Sequence, residues 1–189
     1  LVKSITQQLN AKGLELRMDH SEAYLSALTK ELLAHDFSQR DVDKILRFTL
    51  KEGLKETNRK TYQAMEALIH NLNTMNSRAG AQVPFSSLNY GTDTSPEGRT
   101  VIKNLLLSLE NGLGIGETPI FPIHIFRIKD GINLNPGEPN YDLFELAARV
   151  SARRLFPNFS FQDAPFNLQY YKEGHPETEI SYMGCRTRV

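Results

Sequence analysis

The sequence predicts an α/β fold, and three observations carry that expectation. The first third has helical periodicity, short apolar and aromatic runs of strand length begin at Val83, and amphipathic helical patterns separate those runs. Leu1, Ile5 and Leu9 stand at helix-compatible spacing, and the pattern is helical again from about residue 21 to 76. Within it, Ser38 followed three positions later by Asp41 resembles a capping box. Val42, Ile45, Leu46, Thr49 and Leu50 then fall on one helix face, and Tyr62, Met65, Ile69 and Leu72 form a second stripe. Lys51, Lys55, Glu56, Arg59 and Lys60 between them read as a solvated helix surface.

The character changes at residues 78–82. Val83 to Tyr90 is aromatic, β-capable and bounded by Gly80 and Gly91, as expected of a strand or extended segment. Ser95, Pro96 and Glu97 supply a cap, a first-turn proline and an acid for a helix whose buried stripe is Val101, Ile102, Leu105, Leu106 and Leu109. Gly112, Gly114 and Gly116 end it. Ile120 to Ile128 is apolar on both alternating faces, the pattern of a central strand covered on both sides. A turn-rich stretch from Asp130 to Asn140 leads to a helix with Leu143, Leu146, Ala147 and Val150 inward. Phe159 to Phe161, Phe166 to Tyr171 and Glu179 to Met183 read as short strands or extended pieces. No repeat or linker interrupts residues 1–189, which are expected to form a single unit, mainly helical over 1–76 and alternating strands with helices over 77–189.

Composition narrows the function. With 40% apolar and 23% charged residues over 189 positions, the chain can bury a sizeable core. Its 22 basic and 22 acidic side chains cancel, which argues against electrostatic attachment to nucleic acid or to an anionic membrane. No apolar run approaches the roughly 20 residues that cross a bilayer, and no leader pattern opens the chain, so a cytoplasmic location is expected. The histidines at 20, 35, 70, 124 and 175 show no ligand spacing, so no metal site is expected within the chain. Gly112-x-Gly114-x-Gly116 follows a helix, whereas a dinucleotide loop needs Gly-x-Gly-x-x-Gly between a strand and a helix. There is no Gly-x-Ser-x-Gly elbow of a serine hydrolase. Cys185 is the only cysteine; Gly184 before it and Arg186 and Arg188 after it suit either a structural loop position or a reactive thiol of lowered pKa.

The segment Ser181-Tyr-Met-Gly-Cys-Arg-Thr-Arg-Val189 resembles the cysteine-bearing loop of the anaerobic (class III) ribonucleoside-triphosphate reductases. Two upstream blocks are similar to the same family in the same order: Gln82-Val-Pro-Phe-Ser-Ser-Leu-Asn-Tyr-Gly91, and Ile120-Phe-Pro followed by Asn133-Leu-Asn-Pro-Gly-Glu-Pro-Asn-Tyr-Asp142. The resemblance covers residues 76–189 and implies part of a ten-stranded α/β barrel of the glycyl-radical enzyme type, with a helical N-terminal portion and Cys185 at the tip of a central finger loop. It also implies the chemistry: a glycyl radical, installed by a separate iron–sulfur and S-adenosylmethionine activase, oxidises the cysteine to a thiyl. The thiyl abstracts the 3′ hydrogen of a ribonucleoside triphosphate and water leaves C2′. A second cysteine with formate then supplies reducing equivalents, giving deoxynucleotides for DNA synthesis.

Further expectations follow from the resemblance. Ser86, Ser87 and Asn89 suit either hydrogen bonds to substrate ribose or phosphate at a strand end or satisfaction of local backbone. Arg186 suits a phosphate or a loop-anchoring carboxylate. Gln7 and Gln8 fall where the family has its dimer interface and deoxynucleotide effector site, so a homodimer responding to deoxynucleotide and ATP effectors is implied. The chain departs from the whole family pattern in having no second cysteine, glycyl-radical segment, four-cysteine structural zinc site or ATP cone. Together with its opening on Leu1, this reads as an internal piece of a longer reductase that binds no cofactor itself, is inactive in isolation and, with unpaired strand edges, is marginally stable alone. Two other readings remain open. One is another glycyl-radical enzyme such as a formate-lyase relative, which has an adjacent cysteine pair where Gly184 and Arg186 flank Cys185 here. The other is a non-catalytic binding module on the same scaffold.

Overall fold

A computed structural model describes residues 7, 10–12, 21–75, 82–184, 187 and 188. The chain forms two compact units, residues 1–59 with 95–97 and residues 60–94 with 98–189.

In the first unit, α1 (Ser21–Ala34) is followed by the opening turns of α2 (Gln39–Thr74). Asp36 ends α1 in the left-handed conformation at φ 63°, which a short polar side chain tolerates, and the Phe37 N–H donates back to the Leu32 carbonyl at 3.3 Å. Ser38 then caps α2: its hydroxyl accepts the Asp41 N–H at 3.3 Å and donates to the Asp41 carboxylate at 2.7 Å. Ala27, Leu28 and Leu32 of α1 bury against Val42, with Ile45 and Leu46 beside them. The charged run at the middle of α2 is exposed as expected, and its ion pairs, such as Arg59 with Glu56 at 2.6 Å, lie on the surface, where each contributes little.

The second unit is a β-α-β-α-β arrangement: β1 (Ser87–Tyr90), α3 (Pro96–Asn111), β2 (Ile123–Ile128), α4 (Tyr141–Arg154) and β3 (Asn158–Phe161). The three strands are parallel in the order β1-β2-β3, so β2 is central, as its two-sided apolar pattern predicts. One sheet face carries Leu88, Tyr90, His124, Phe126, Ile128 and Phe159. Its core combines Phe126 and Ile128 with Ile102, Leu105, Leu106 and Leu109 of α3, Leu143, Ala147 and Val150 of α4, and Ile69 of α2. Phe126 is the hub, with edge-on contacts to Tyr90 at 5.7 Å and Phe159 at 6.1 Å. Arg154 at the end of α4 ties the two crossover helices together, donating to the carbonyls of Glu110 and Asn111 in the last turn of α3 and of Gly116 beyond it.

Beyond β3 the chain makes a single helical turn, α5 (Pro165–Leu168), a 3₁₀ turn (Pro176–Thr178) and a two-stranded antiparallel hairpin of β4 (Tyr182–Met183) and β5 (Thr187–Arg188). This corrects two sequence expectations. Phe166 to Tyr171 is not a strand, because Pro165 sits at the first helical position and fixes the backbone for a turn. Within Glu179 to Met183 only the last two residues pair. The barrel implied by the resemblance is not seen either: the described residues supply three parallel strands and a hairpin, too few to close on themselves. Among the described residues no helix is long and apolar enough to cross a membrane.

His124 is buried within the core face, 1% exposed, with its Nδ1 3.1 Å from the Tyr90 hydroxyl and its Nε2 without a partner among the described residues. Burial lowers its pKa from 6.5 to about 4 and pushes the Tyr90 phenol up. Below pH 6.5 the unfolded chain therefore binds a proton that the folded chain refuses. The resulting stability is fully present above pH 6.5 and is lost as pH falls toward 4, on the order of 3 kcal/mol across the window. Urea titrations from pH 7 to 4.5 should show this decline, and His124→Gln should flatten it. A second pair of variants tests the backbone. Gly91 has φ 124°, and an added Cβ would lie 2.7 Å from the Arg127 carbonyl oxygen, whereas Gly53 lies in the interior of α2 with nothing within 4 Å. Gly91→Ala should destabilise by at least about 2 kcal/mol and Gly53→Ala should stabilise by roughly 0.5–1 kcal/mol, read from denaturation midpoints.

Candidate functional site

The sheet has two unlike faces. Alternation along the strands puts Ser87 and Asn89 of β1, Ile123, Ile125 and Arg127 of β2, and Asn158 and Ser160 of β3 on the face away from the helical core. Three apolar strands would bury nonpolar groups on both sides, yet this face mixes hydroxyl, amide and guanidinium with two isoleucines. The β4–β5 hairpin lies on it.

Two side chains of β1 meet the hairpin backbone. The Asn89 amide donates from Nδ2 to the Tyr182 carbonyl at 2.8 Å and accepts the Tyr182 N–H on Oδ1 at 2.9 Å. Two residues back along β1, Ser87 Oγ accepts the Gly184 N–H at 3.3 Å. Gly184 has φ 59°, and a Cβ there would stand 2.9 Å from the Phe85 ring, which is itself packed edge-on against Phe121 at 5.2 Å. The far side is held as well: the Tyr182 hydroxyl donates to Asn167 Oδ1 at 3.2 Å, and Asn167 Nδ2 donates to the Phe161 carbonyl at the end of β3 at 2.7 Å. Arg188 of β5 donates to the Phe166 carbonyl at 2.8 Å and lies over the rings of Phe166 and Tyr170. A cavity of about 350 Å³, lined by Ile125, Ser160, Phe166 and Tyr182 among others, opens between the sheet and this hairpin. That volume lies within the range of small-molecule sites.

The C-terminal strand ends are fixed by polar side chains. Glu179, 12% exposed, faces two cations: Lys129 Nζ donates to it at 2.5 Å and Arg127 Nη1 at 3.5 Å. Burial works against the Lys129 charge, but the Glu179 carboxylate, with Tyr171 under the ammonium at 4.6 Å, outweighs it and holds the lysine pKa above its ordinary value. The chain leading to the hairpin is thereby fastened to the end of β2. Beside it, the loop between β2 and α4 folds on its own asparagines. Asn133 Nδ2 donates to the carbonyls of Gly91 at 3.0 Å and Arg127 at 2.9 Å, and Asn140 Nδ2 donates to those of Gly91 at 3.0 Å and Asp93 at 2.8 Å. Glu138 accepts the N–H groups of Asn135, Gly131 and Leu134, and the Asn135 bond is the leading cause of its lowered pKa.

The structure separates the sequence-derived candidates. Ser87 and Asn89 meet each other's neighbourhood on the hairpin. Ser86 immediately precedes β1; its carbonyl accepts the Ile123 N–H at 2.8 Å and its hydroxyl turns back to the Pro84 carbonyl at 3.4 Å. Cys185 and Arg186 lie outside the described residues, between Gly184 and Thr187 in sequence, as do Gln8 and, at the far end, Val189. Gln7 is described and exposed. Sequence reasoning missed Arg127, Lys129 and Glu179, because their partnership spans some fifty residues with no local spacing to mark it. Asn133 and Asn140 had a signal: asparagines crowded into a proline- and glycine-rich turn often bond backbone. No three His, Cys, Asp or Glu gather into a metal-binding group among the described residues.

Comparison with known proteins agrees with the motif resemblance. The family model for anaerobic ribonucleoside-triphosphate reductase matches residues 18–189. The chain is 34% identical over 139 residues to the anaerobic ribonucleoside-triphosphate reductase of Enterobacteria phage T4, covering 73% of this chain and 22% of that protein. It is 35% identical over 132 residues to the enzyme of the same name from Escherichia coli K12, covering 69% and 17%, and 36% identical over 98 residues to that of Haemophilus influenzae, covering 51% and 14%. The chain thus spans about a fifth of the length of the curated relatives it matches. With most of its length under the family model and its three motif blocks at β1, at the start of β2 with the loop that follows it, and at the hairpin, this chain belongs to the anaerobic ribonucleoside-triphosphate reductase family.

Proposed function

We propose that this chain is the part of an anaerobic ribonucleoside-triphosphate reductase that presents the hydrogen-abstracting cysteine to substrate, and that the residue is Cys185. The observation that carries the reading is the coincidence of family and geometry. The family match runs through residue 189, and the two described strands on either side of Cys185 form a hairpin fastened over the polar face of a parallel sheet. In this reading residues 1–189 are one portion of a glycyl-radical type barrel, whose remaining strands belong to a longer protein that works in the cytoplasm as a homodimer.

The glycyl radical, installed elsewhere in that longer protein by an iron–sulfur and S-adenosylmethionine activase, supplies the one-electron oxidation of the Cys185 thiol. A thiol suits the next step, since sulfur carries an unpaired electron and exchanges one hydrogen atom: the thiyl takes hydrogen from C3′ of the ribonucleoside triphosphate, re-forming S–H and leaving a C3′ radical. Loss of water from C2′ follows, with formate and a second cysteine of the longer protein as the reducing partners and nucleotides as effectors. The contributions of this chain are position and exclusion of water. Hydrogen-atom transfer needs a near-contact approach, which a hairpin pinned at Tyr182 and Gly184 can hold. Arg186 is assigned here to anchoring the loop or meeting a phosphate. The structural zinc of the family is not built from these residues, since one cysteine cannot supply a four-cysteine cage.

The test is made on the full-length protein, activated anaerobically. Cys185→Ser should retain the glycyl-radical EPR signal and lose ribonucleotide reduction by at least about a thousandfold, because serine cannot form the corresponding radical at accessible potential. Turnover close to that of the unsubstituted enzyme would make the cysteine structural.

A further inference from the structure

We propose that Asn89, assisted by Ser87, is a positioning residue for Cys185: its side-chain amide replaces a backbone strand partner and sets the height of the hairpin above β1. The inference rests on the role given to Cys185 above and goes beyond it by assigning the element that aims the thiol.

The argument is one of hydrogen-bond matching. Asn89 presents a donor and an acceptor side by side in one plane, and both meet the same residue, Nδ2 to the Tyr182 carbonyl at 2.8 Å and Oδ1 from the Tyr182 N–H at 2.9 Å. A neighbouring strand would make the same pair of bonds in a sheet. The step is repeated at the spacing of an extended chain: two residues earlier on β1, Ser87 accepts the N–H two residues later on the hairpin, Gly184. The hairpin therefore runs across the side chains of β1 in a fixed register. The neighbouring positions of β1 could not take this role, since Leu88 and Tyr90 pack against the helical core. Gly184 completes the seat: at φ 59°, with the Phe85 ring 2.9 Å from where a Cβ would stand, glycine fits without strain. Cys185 follows Gly184 directly in the sequence, so the seat of Gly184 fixes the chain one peptide unit before the cysteine.

This arrangement uses Asn89 differently from a substrate ligand. A ligand contributes to substrate affinity, whereas a residue that aims the thiol contributes to the abstraction step, in which a displacement of about 1 Å can cost about 100-fold. Aspartate in its place keeps an acceptor for the Tyr182 N–H but, being ionised at neutral pH, has no donor for the Tyr182 carbonyl.

The experiment uses the full-length enzyme, activated anaerobically, with Asn89→Ala and Asn89→Asp, and measures radical yield by EPR, ribonucleoside triphosphate Kd by equilibrium binding, and kcat against pH. The proposal expects Asn89→Ala to keep its radical yield and Kd within about twofold and to lose kcat by about 100-fold. Asn89→Asp should lose kcat throughout roughly pH 6–8, because a carboxylate with an ordinary pKa of about 3.9 stays ionised across that range and offers the Tyr182 carbonyl no donor. A Kd raised in proportion to the loss of kcat/KM would overturn the proposal by making Asn89 a substrate ligand. Unchanged kcat in Asn89→Ala would overturn it too. If Asn89→Ala does not fold, Asn89→Asp decides: a kcat within about twofold of the unsubstituted enzyme, at unchanged radical yield, contradicts the proposal. Cys185→Ser, assayed in parallel, separates the two readings. An active Cys185→Ser removes the role of the cysteine, whereas an inactive Cys185→Ser beside a fully active Asn89→Ala removes only the role of Asn89.

Discussion

A peptide group taken out of water has to find a hydrogen-bond partner, and in this chain several segments that leave helix and sheet find theirs on asparagine amides. Asn73 accepts the N–H groups of Ile120 and Phe121 as the chain turns into β2. Asn133 and Asn140 both reach the carbonyl of Gly91, at the point where a Cβ would strike the Arg127 carbonyl and so where the backbone is packed against backbone. Asn89 and Asn167 hold the hairpin from opposite edges of the sheet. The short, planar amide carries a donor and an acceptor at nearly the spacing of a peptide unit. Serine is too short to serve both groups, and an ionised aspartate has no hydrogen to give.

This constraint explains the shape of the site. Parallel strands joined by helical crossovers put their helices on a face, and here α3 and α4 pack with the aromatic hub at Phe126. The other face is free to carry polar groups, and it receives irregular chain rather than a helix. Irregular chain brings unpaired peptide groups with it, so the residues beneath it are Ser87 and Asn89 rather than further aliphatics. The Glu179 carboxylate shared between Arg127 and Lys129 applies the same logic with charge: a partly buried cation at a strand end needs a counter-ion, and that counter-ion fastens the approach to the hairpin. The polar side chains of this face are thus spent on holding the backbone of the chain that crosses it.

Much of the framework could be read before any coordinates. The stripes of α2, α3 and α4 and the two-sided apolar run of β2 are periodic signals, and they fold as their periods dictate. Ser38 with Asp41 is a local signal and forms the cap it suggests. The segment from Phe166 to Tyr171 has the aromatic content of a strand, but Pro165 before it, with its fixed φ, starts a helical turn instead. The site was legible only in part. Ser87 and Asn89 were identified as side chains at a strand end with bonds to give, but whether those bonds go to a ligand or to the backbone is decided by where residue 182 lies, more than ninety positions along the chain. No local pattern encodes a separation of that kind. The family motif supplied what local pattern could not, since it joins β1, the asparagine-rich loop and the hairpin in one set of residues.

The central claim is that side chains of β1 hold the backbone of the hairpin. Residue-resolved amide hydrogen exchange on the full-length protein tests it most directly. The account predicts that the amides of Tyr182 and Gly184 exchange slowly, on the scale of the β1–β2 ladder and far more slowly than the exposed amides of Glu173 and Gly174. Exchange at Tyr182 and Gly184 as fast as in that exposed turn would contradict the account.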